Sequence, residues 1–294
     1  MPVQKETAQD IVRGKSPESS AGRTNGESNT EIAVNQLLSK QQKLLPRPSA
    51  ETKAPKLRRK LRPDEQQAFR RRIAQPAHEV LLDPAGVDPH LVALQDSEPT
   101  AAAEQFSKLA VVLLSIAAKR FCKRMLIASA QPTEGRTYVL LSLAQALARA
   151  RQRVLVIESD FHRPSISRML GIDVGTGIAE VCERDLSPGA AVVRVLPADF
   201  DVMIARSPIL CAADLLASPA FRWILDVVDE DYDFVLFDSP PLLESTDVHL
   251  LMQFVEGVLL VIQPGRTSAD QMAKAVAAFS QSDLCGVVLN RIEP

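Results

Sequence analysis

The sequence lacks the features of several protein classes. Its cysteines are few, lie far apart and form no Cys-x-x-Cys pair: Cys122, Cys182, Cys211 and Cys285. This spacing is typical of reduced, buried thiols in a cytosolic protein and does not favour a metal site. No apolar run approaches the roughly 20 residues of a membrane span, and the N-terminus has no apolar signal segment. We therefore expect a cytoplasmic protein.

The chain also lacks a strong net charge, abundant tyrosine and hydrolase motifs. Its formal net charge is −2, so no overall field attracts nucleic acid, and we expect no specific nucleic-acid partner. Tyr138 and Tyr232 are the only tyrosines. One follows a predicted helix start and the other opens a predicted strand, which favours core packing. No Gly-x-Ser-x-Gly elbow or Cys/His pairing supports a hydrolase.

Polar and hydrophobic residues are unevenly distributed along the chain. Hydrophobic residues make up 46% of the sequence, and their concentration after about residue 100 favours one α/β domain with a polar appendage. Residues 1–50 are polar enough to predict disorder. Residues 53–72 form a basic block that suits an acidic membrane surface, an acidic partner or a solvated arm. We predict a disordered, basic N-terminal arm and linker over residues 1–96 and a globular domain over residues 97–294.

A strand, loop and helix are predicted around residues 124–137, where the sequence is similar to a phosphate-binding loop. The usual pattern is Gly-x-x-x-x-Gly-Lys-Ser/Thr, in which backbone N–H groups at the helix start bind phosphate. At the corresponding positions, 130–137, this chain keeps Gly135 and Thr137. Arg136 stands in place of the lysine, and this substitution bears directly on function.

Alternating strands and helices predict a parallel sheet with right-handed crossovers. Strands are predicted at 125–128, 153–158, 192–196, 201–205, 232–237, 257–262 and 286–289, and helices at 109–118, 136–150, 163–170, 177–182, 219–228 and 268–280. Ligands of such sheets bind beyond the carboxyl ends of the strands. Glu158, Asp160 and Asp238 lie at two of these ends.

Four motifs in this order resemble the cytoplasmic domain of bacterial tyrosine kinases of capsule and exopolysaccharide synthesis. These kinases have a deviant P-loop fold related to the partitioning and division-site ATPases. The resemblance extends from about residue 98 to the C-terminus and implies a P-loop α/β fold. The motifs are Ser-Ala-x-Pro-x-Glu-Gly at 129–135, Val-Leu-Val-Ile-Glu-Ser-Asp at 154–160, Phe-Asp-Ser-Pro-Pro at 237–241, and Gly-Val-Leu-Leu-Val at 257–261 with Gly-Val-Val-Leu-Asn at 286–290.

The resemblance implies ATP and Mg²⁺ as cofactors and assigns roles to the loop and the strand ends. The implied catalytic residues are Arg136, Asp160 and Asp238. The implied nucleotide-binding residues are Gln131, Pro132, Thr133, Glu134, Gly135, Arg136 and Thr137. The implied magnesium ligands are Thr137, Glu158, Asp160 and Asp238, since hard oxygen ligands suit that ion.

Three departures from the family pattern argue for reduced or lost tyrosine kinase activity. Arg136 replaces the loop lysine, and a planar guanidinium does not substitute simply for a compact ammonium. Thr133 replaces a usual glycine, which costs roughly 1 kcal/mol or more if the position has a positive φ. Glu158 replaces the first of two paired aspartates and is one methylene longer.

The family's self-association signature is also degraded. Glu-x-x-Arg-x-x-Arg appears here as Glu104, Ser107 and Ala110, so only the glutamate remains. The lost arginines would have supplied charge-assisted bonds between subunits. A homo-oligomer is still possible, but the family's ring is disfavoured. The tyrosine-rich tail that these kinases phosphorylate in themselves does not occur in the sequence.

Three functions remain open. The first is a degenerate kinase relative that regulates a membrane chain-length or co-polymerase protein in polysaccharide export, from the cytoplasm or the inner face of the membrane. The second is an active ATP-dependent tyrosine kinase that phosphorylates another chain. The third is a positioning ATPase of the partitioning or division-site type, although Gln131 and Pro132 depart from the loop of those proteins.

Overall fold

The computed structural model describes residues 78–83, 86–88, 91, 100–184, 186–280 and 283–291. The disorder predicted for residues 1–50 and the basic block at 53–72 lie outside these residues.

An eight-stranded sheet forms the centre of the described chain. Its strands are β1 (His78–Leu81), β2 (Arg124–Ser129), β3 (Val154–Glu158), β4 (Val192–Leu196), β5 (Phe200–Met203), β6 (Phe234–Asp238), β7 (Gly257–Ile262) and β8 (Leu284–Leu289). The helices are α1 (Ala101–Arg120), α2 (Arg136–Arg149), α3 (Ile166–Leu170), α4 (Ile178–Arg184), α5 (Ala212–Ala217), α6 (Pro219–Val228), α7 (Asp247–Leu251) and α8 (Ala269–Ala277). Short 3₁₀ turns occur at Pro188–Ala191 and Met252–Phe254.

The strands lie in the order β1-β4-β5-β3-β6-β2-β7-β8. All neighbouring pairs are parallel except β4 and β5, which are antiparallel. The predicted α/β class with a mostly parallel sheet is therefore confirmed. The one antiparallel pair arises because only residues 197–199 connect β4 to β5. A connection that short joins antiparallel strands, whereas a parallel crossover needs a dozen or more residues.

Helices cover both faces of the sheet because side chains along each strand alternate between them. On β2, Met125 and Ile127 belong to the core beneath α1 and α2, whereas Leu126 and Ala128 belong to the core beneath α6 and α7. A strand buried on both faces must be apolar throughout, which explains the continuous apolar runs of β2, β6 and β7.

The sheet begins earlier in the chain than the sequence pattern indicates. Residues 78–81, expected in the linker before residue 97, pair with β4 as the edge strand β1. The linker prediction is therefore wrong for these four residues. The strand is short and lies among prolines, so its pattern alone does not distinguish it from linker.

Helix α1 extends well beyond the predicted apolar core at 109–118. The Thr100 hydroxyl caps its start by accepting the Ala103 N–H at 3.1 Å. Among the described residues, α1 is the one helix that meets the length and composition of a membrane span. A helix of a hydrophobic core meets the same criteria. Phe106, Leu109 and Leu113 are buried against the domain, whereas Val111 is 65% exposed.

Candidate nucleotide-binding site

The loop between β2 and α2 uses backbone conformations that few residues adopt. Gly135 has a φ of +87° and precedes α2, and Thr133 has a φ of +64°. A Cβ atom at position 135 would collide with the side-chain amide of Asn290, so only glycine fits there. At position 133 a β-branched residue occupies the left-handed region, which costs roughly 1 kcal/mol or more. The positive φ that would make Thr133 strained is therefore present in the structure.

Glu134 stabilises the loop from the protein interior. Its side chain is fully buried, and Oε2 accepts the backbone N–H of Gln131 at 2.8 Å. The other carboxylate oxygen accepts the hydroxyl of Thr267. Asn290 donates from Nδ2 to the backbone oxygen of Glu134 at 2.8 Å. These contacts connect the loop to segments that follow β7 and β8, and they leave the Glu134 side chain facing the interior instead of a ligand.

Arg136 lies at the centre of a buried cluster of charged groups. Its guanidinium donates from Nε to Asp238 Oδ1 and from Nη2 to Asp160 Oδ2, each at 3.0 Å. A third donor, Nη1, reaches Ser129 Oγ at 3.0 Å. The planar fork of five N–H groups makes three such bonds possible in different directions, whereas the compact ammonium of lysine offers no matching geometry.

Asp160 and Asp238 converge because their strands, β3 and β6, are parallel neighbours. Asp238 is fully buried, and its Oδ2 accepts the Thr137 hydroxyl at 2.9 Å. Oδ1 of Asp160 accepts the backbone N–H of Arg163 at 3.1 Å. Burial raises the pKa of Asp160, and the charge of Arg136 offsets part of that rise. Every oxygen of the two carboxylates therefore already accepts a hydrogen bond.

Glu158 does not join this cluster. Its Oε1 accepts the backbone N–H groups of Ser165 at 2.5 Å and Ile166 at 2.7 Å, and Oε2 accepts that of Ala205 at 3.0 Å. Burial raises the pKa of Glu158 to about 7, although the three N–H groups act in the opposite direction. The carboxylate ties the end of β3 to the start of α3 and to the segment after β5, which corrects its expected role as a metal ligand.

A cavity of about 500 Å³ opens in front of the loop. Its loop side is formed by Pro132, Thr133, Gly135, Arg136 and Thr137, while Gln131 and Glu134 do not line it. Phe106 and Tyr138 form part of an apolar wall, with their rings 5.8 Å apart in an edge-to-face arrangement. The Asp and Arg residues of the lining are Asp88, Arg136, Asp160, Arg163, Arg168 and Arg291. This excess of arginine favours an anionic ligand.

A family model described as "ParA: NUBPL iron-transfer P-loop NTPase" matches residues 121–292, more than half of the chain. The chain belongs to the ParA family of P-loop NTPases. The matched residues include the loop, both aspartates of the cluster and Asn290. The strand, loop and helix around Arg136 are accordingly the P-loop of a ParA-family protein.

Relatives of this ParA-family chain confirm the resemblance to bacterial tyrosine kinases. The tyrosine-protein kinase YwqD of Bacillus subtilis (strain 168) is 29% identical over 192 residues, which cover 64% of this chain and 80% of YwqD. The succinoglycan biosynthesis transport protein ExoP of Rhizobium meliloti (strain 1021) is 27% identical over 194 residues. That match covers 60% of this chain but 24% of ExoP, so the chain spans about a quarter of that relative.

A solved structure shares the fold. The kinase domain of the Escherichia coli tyrosine kinase ETK superposes with a TM-score of 0.64, over 74% of this chain and 93% of that domain. The two sequences are 20% identical, so this likeness concerns the fold alone.

The residues implied as magnesium ligands do not fit that ion in this ParA-family chain. Magnesium requires oxygen ligands at about 2.1 Å in near-octahedral geometry. The space between Asp160 and Asp238 is filled by the Arg136 guanidinium, and Thr137 directs its hydroxyl hydrogen at Asp238. Among the described residues, no group of three or more His, Cys, Asp or Glu side chains is arranged for a metal ion.

Several residues of the site were not singled out by sequence reasoning. Ser129 ends β2 and Asn290 follows β8, so both are polar residues at carboxyl ends of strands. That same signal identifies Asp160 and Asp238, and it would have found these two as well. Arg163 belongs to the Arg163-Pro164 pair that follows the second motif of the resemblance. Arg168 and Arg291 come from a short helix after β3 and from the segment after β8, where no local pattern marks them.

Proposed function

We propose that this chain is a degenerate relative of the bacterial tyrosine kinases that regulates a membrane chain-length or co-polymerase protein in exopolysaccharide or capsule synthesis and export. The observation that carries this proposal is the pairing of Arg136 with both Asp160 and Asp238. In phosphoryl transfer, carboxylates at this place position metal and acceptor. Here one guanidinium pairs with both carboxylates and occupies the space between them, so transfer is weak or lost.

The scarcity of acceptor tyrosines supports the same conclusion. The sequence contains two tyrosines. Tyr232 is buried, and its hydroxyl donates to Asp201 Oδ2 at 2.8 Å. Tyr138 packs edge-to-face against Phe106, and burial raises its pKa. Both tyrosines are thus packed in the folded domain, and we infer that the chain acts through a partner.

The polysaccharide pathway and the membrane partner are inferred from relatives. ExoP is named as a succinoglycan biosynthesis transport protein and is much longer than this chain. We infer that the domain predicted at 97–294, extended back to β1, binds the cytoplasmic segment of a membrane chain-length or co-polymerase protein. ATP is the proposed ligand of the P-loop cavity, and the proposed location is the cytoplasm, at the inner face of the membrane.

Kinase assays combined with copurification test the proposal. The full chain and Arg136→Lys are incubated with ATP, Mg²⁺ and the tagged cytoplasmic segment of a co-polymerase from the same organism. Phosphotyrosine formation and copurification are measured together. We expect the wild-type chain to bind the segment, and phosphotyrosine to form at least about tenfold more slowly than in an active kinase. Turnover at an ordinary kinase rate would establish the active-kinase alternative, and failure to copurify would refute the adaptor role.

A further inference from the structure

Arg136 occupies the place where a cation is needed between two buried carboxylates. Its three hydrogen bonds, to Asp160, Asp238 and Ser129, are all 3.0 Å long, and its side chain is 9% exposed. A divalent ion bridging the carboxylates would have to expel the guanidinium. The displaced guanidinium would then lie beside another cation without its anionic partners, which is unfavourable in a buried site.

From this geometry, and resting on the proposed function of the P-loop, we propose that the loop binds the phosphate chain of its ligand without a divalent cation. Arg136 is the built-in positive charge of the site. The ligand class is a compound with a diphosphate or triphosphate chain, either a nucleotide or another polyphosphate.

The charges around the cavity are consistent with metal-free binding. Arg136 leaves one net negative charge when it is counted with Asp160 and Asp238. Arg163, Arg168 and Arg291 also line the cavity, against one further carboxylate, Asp88. These four arginines and three aspartates together carry a net charge of +1. A phosphate chain is attracted to such a cavity without Mg²⁺.

Donors are available at the place where the phosphates would lie. A guanidinium has five N–H groups, and three of those of Arg136 have partners in the part of the chain that the structure describes. The side chain also lines the cavity, so its remaining N–H groups are close to an incoming anion. The backbone N–H groups at the start of α2, which have no acceptor within the helix itself, add further donors.

Binding measurements with and without metal test the inference. A fluorescent ATP analogue is titrated into the full wild-type chain in EDTA and in Mg²⁺, and unlabelled ATP, ADP and inorganic tripolyphosphate compete for the site. We expect the dissociation constants of the wild-type chain in the two buffers to agree within about threefold. Arg136→Lys should bind at least about tenfold more weakly in EDTA than in Mg²⁺.

Arg153→Lys is the matched control. Arg153 also pairs with a carboxylate, that of Asp233, but it precedes β3 and therefore lies at the opposite edge of the sheet. This variant should keep the metal independence of the wild type. Circular dichroism establishes that each variant is folded, and the wild-type comparison stands even if Arg136→Lys does not fold.

The competition arms identify the source of the phosphate chain. Equal competition by tripolyphosphate and ATP would support recognition of the phosphate chain alone. Stronger competition by ATP would support a nucleotide as the ligand. Wild-type binding that weakens at least about tenfold in EDTA would overturn the inference. Absence of binding in both buffers would also overturn it, while copurification with the membrane partner would still decide the adaptor role separately.

Discussion

Arg136 Nε lies 3.0 Å from Asp238 Oδ1, although 102 positions separate the two residues in the chain. The next residue, Thr137, donates its hydroxyl to the other oxygen of the same carboxylate at 2.9 Å. Two consecutive residues of α2 are thus held by the last residue of β6. The first turn of the helix is fixed in orientation by the sheet, independently of any ligand.

Replacement of Arg136 by methionine should destabilise the protein by about 3–5 kcal/mol, because two buried carboxylates lose their counter-charge. The loss should be smaller near about pH 5 than near about pH 8, because burial raises the pKa of Asp160 and protonation of that carboxyl relieves the repulsion from Asp238. Urea unfolding of the wild type and the variant at both pH values measures this loss in the free energy of unfolding. Arg163→Met is the control: its side chain is 70% exposed, and we expect a change below about 1 kcal/mol. Equal effects of the two substitutions would contradict the buried cluster.

Glu158 should make stability depend on pH. Its pKa in the folded protein is about 7, above the ordinary 4.5, so the folded state holds the proton more tightly than the unfolded state. The stabilisation is therefore complete below about pH 4.5 and is lost as the pH rises through about 7. Relative to Glu158→Gln, the wild-type free energy of unfolding should fall by an amount on the order of 3 kcal/mol across that interval.

Chemical denaturation of both proteins at several pH values measures this difference. Glu244→Gln, at a side chain that is 41% exposed, should show a difference from wild type that is nearly constant with pH. If the wild type instead gains stability relative to Glu158→Gln as the pH rises, the three backbone N–H groups outweigh burial, and the pKa assignment is wrong.

Thr133→Gly should stabilise the fold by about 0.5–1 kcal/mol. Relief of the left-handed conformation of a β-branched residue outweighs the extra backbone freedom that glycine has in the unfolded chain. Thr133→Ala keeps a Cβ atom at the same φ and should change stability less. Denaturant midpoints of the three proteins give the comparison, and a Thr133→Gly variant less stable than the wild type would rule out strain at this position.

Gly257→Ala should destabilise the protein by about 1–3 kcal/mol through overpacking. A Cβ atom at the start of β7 would collide with the buried sulfur atoms of Cys122 and Cys285. Gly175 has no atom within 4 Å of the equivalent position, so Gly175→Ala should lie within about 0.5 kcal/mol of the wild type. Thermal and urea unfolding test the pair, and similar losses in both variants would show that the sulfur contact is unimportant.

Sequence patterns predict the central strands well because those strands are buried on both faces and therefore read as unbroken apolar runs. β7 and β4 match their predicted bounds, and α6 matches as well. The local sequence pattern does not predict an element that is stabilised mainly by contacts with residues distant in sequence. β1 is a strand because it pairs with β4, more than 100 positions later. The antiparallel β4–β5 pair was foreseeable, since three residues cannot make a parallel crossover.

The strand ends correctly bring Asp160 and Asp238 into one site, because neighbouring parallel strands finish at the same edge. The same logic misplaces Glu158. Residue type and position do not reveal that backbone N–H groups from residues 165, 166 and 205 occupy its carboxylate. Nor does an arginine in the loop indicate whether it faces a ligand or two aspartates. Both outcomes depend on side-chain rotamers and on segments that only the folded chain brings together.

The direction of β1 determines where the N-terminal part of the chain joins the domain. β1 is parallel to β4. It therefore runs opposite to the other six strands of the sheet, which are β5, β3, β6, β2, β7 and β8. His78, its first residue, therefore lies at the edge of the sheet where β3 and β6 end and where the P-loop is located. Whatever the residues before His78 bind is tethered on the P-loop side of the protein, and its effective concentration near the cavity is raised accordingly.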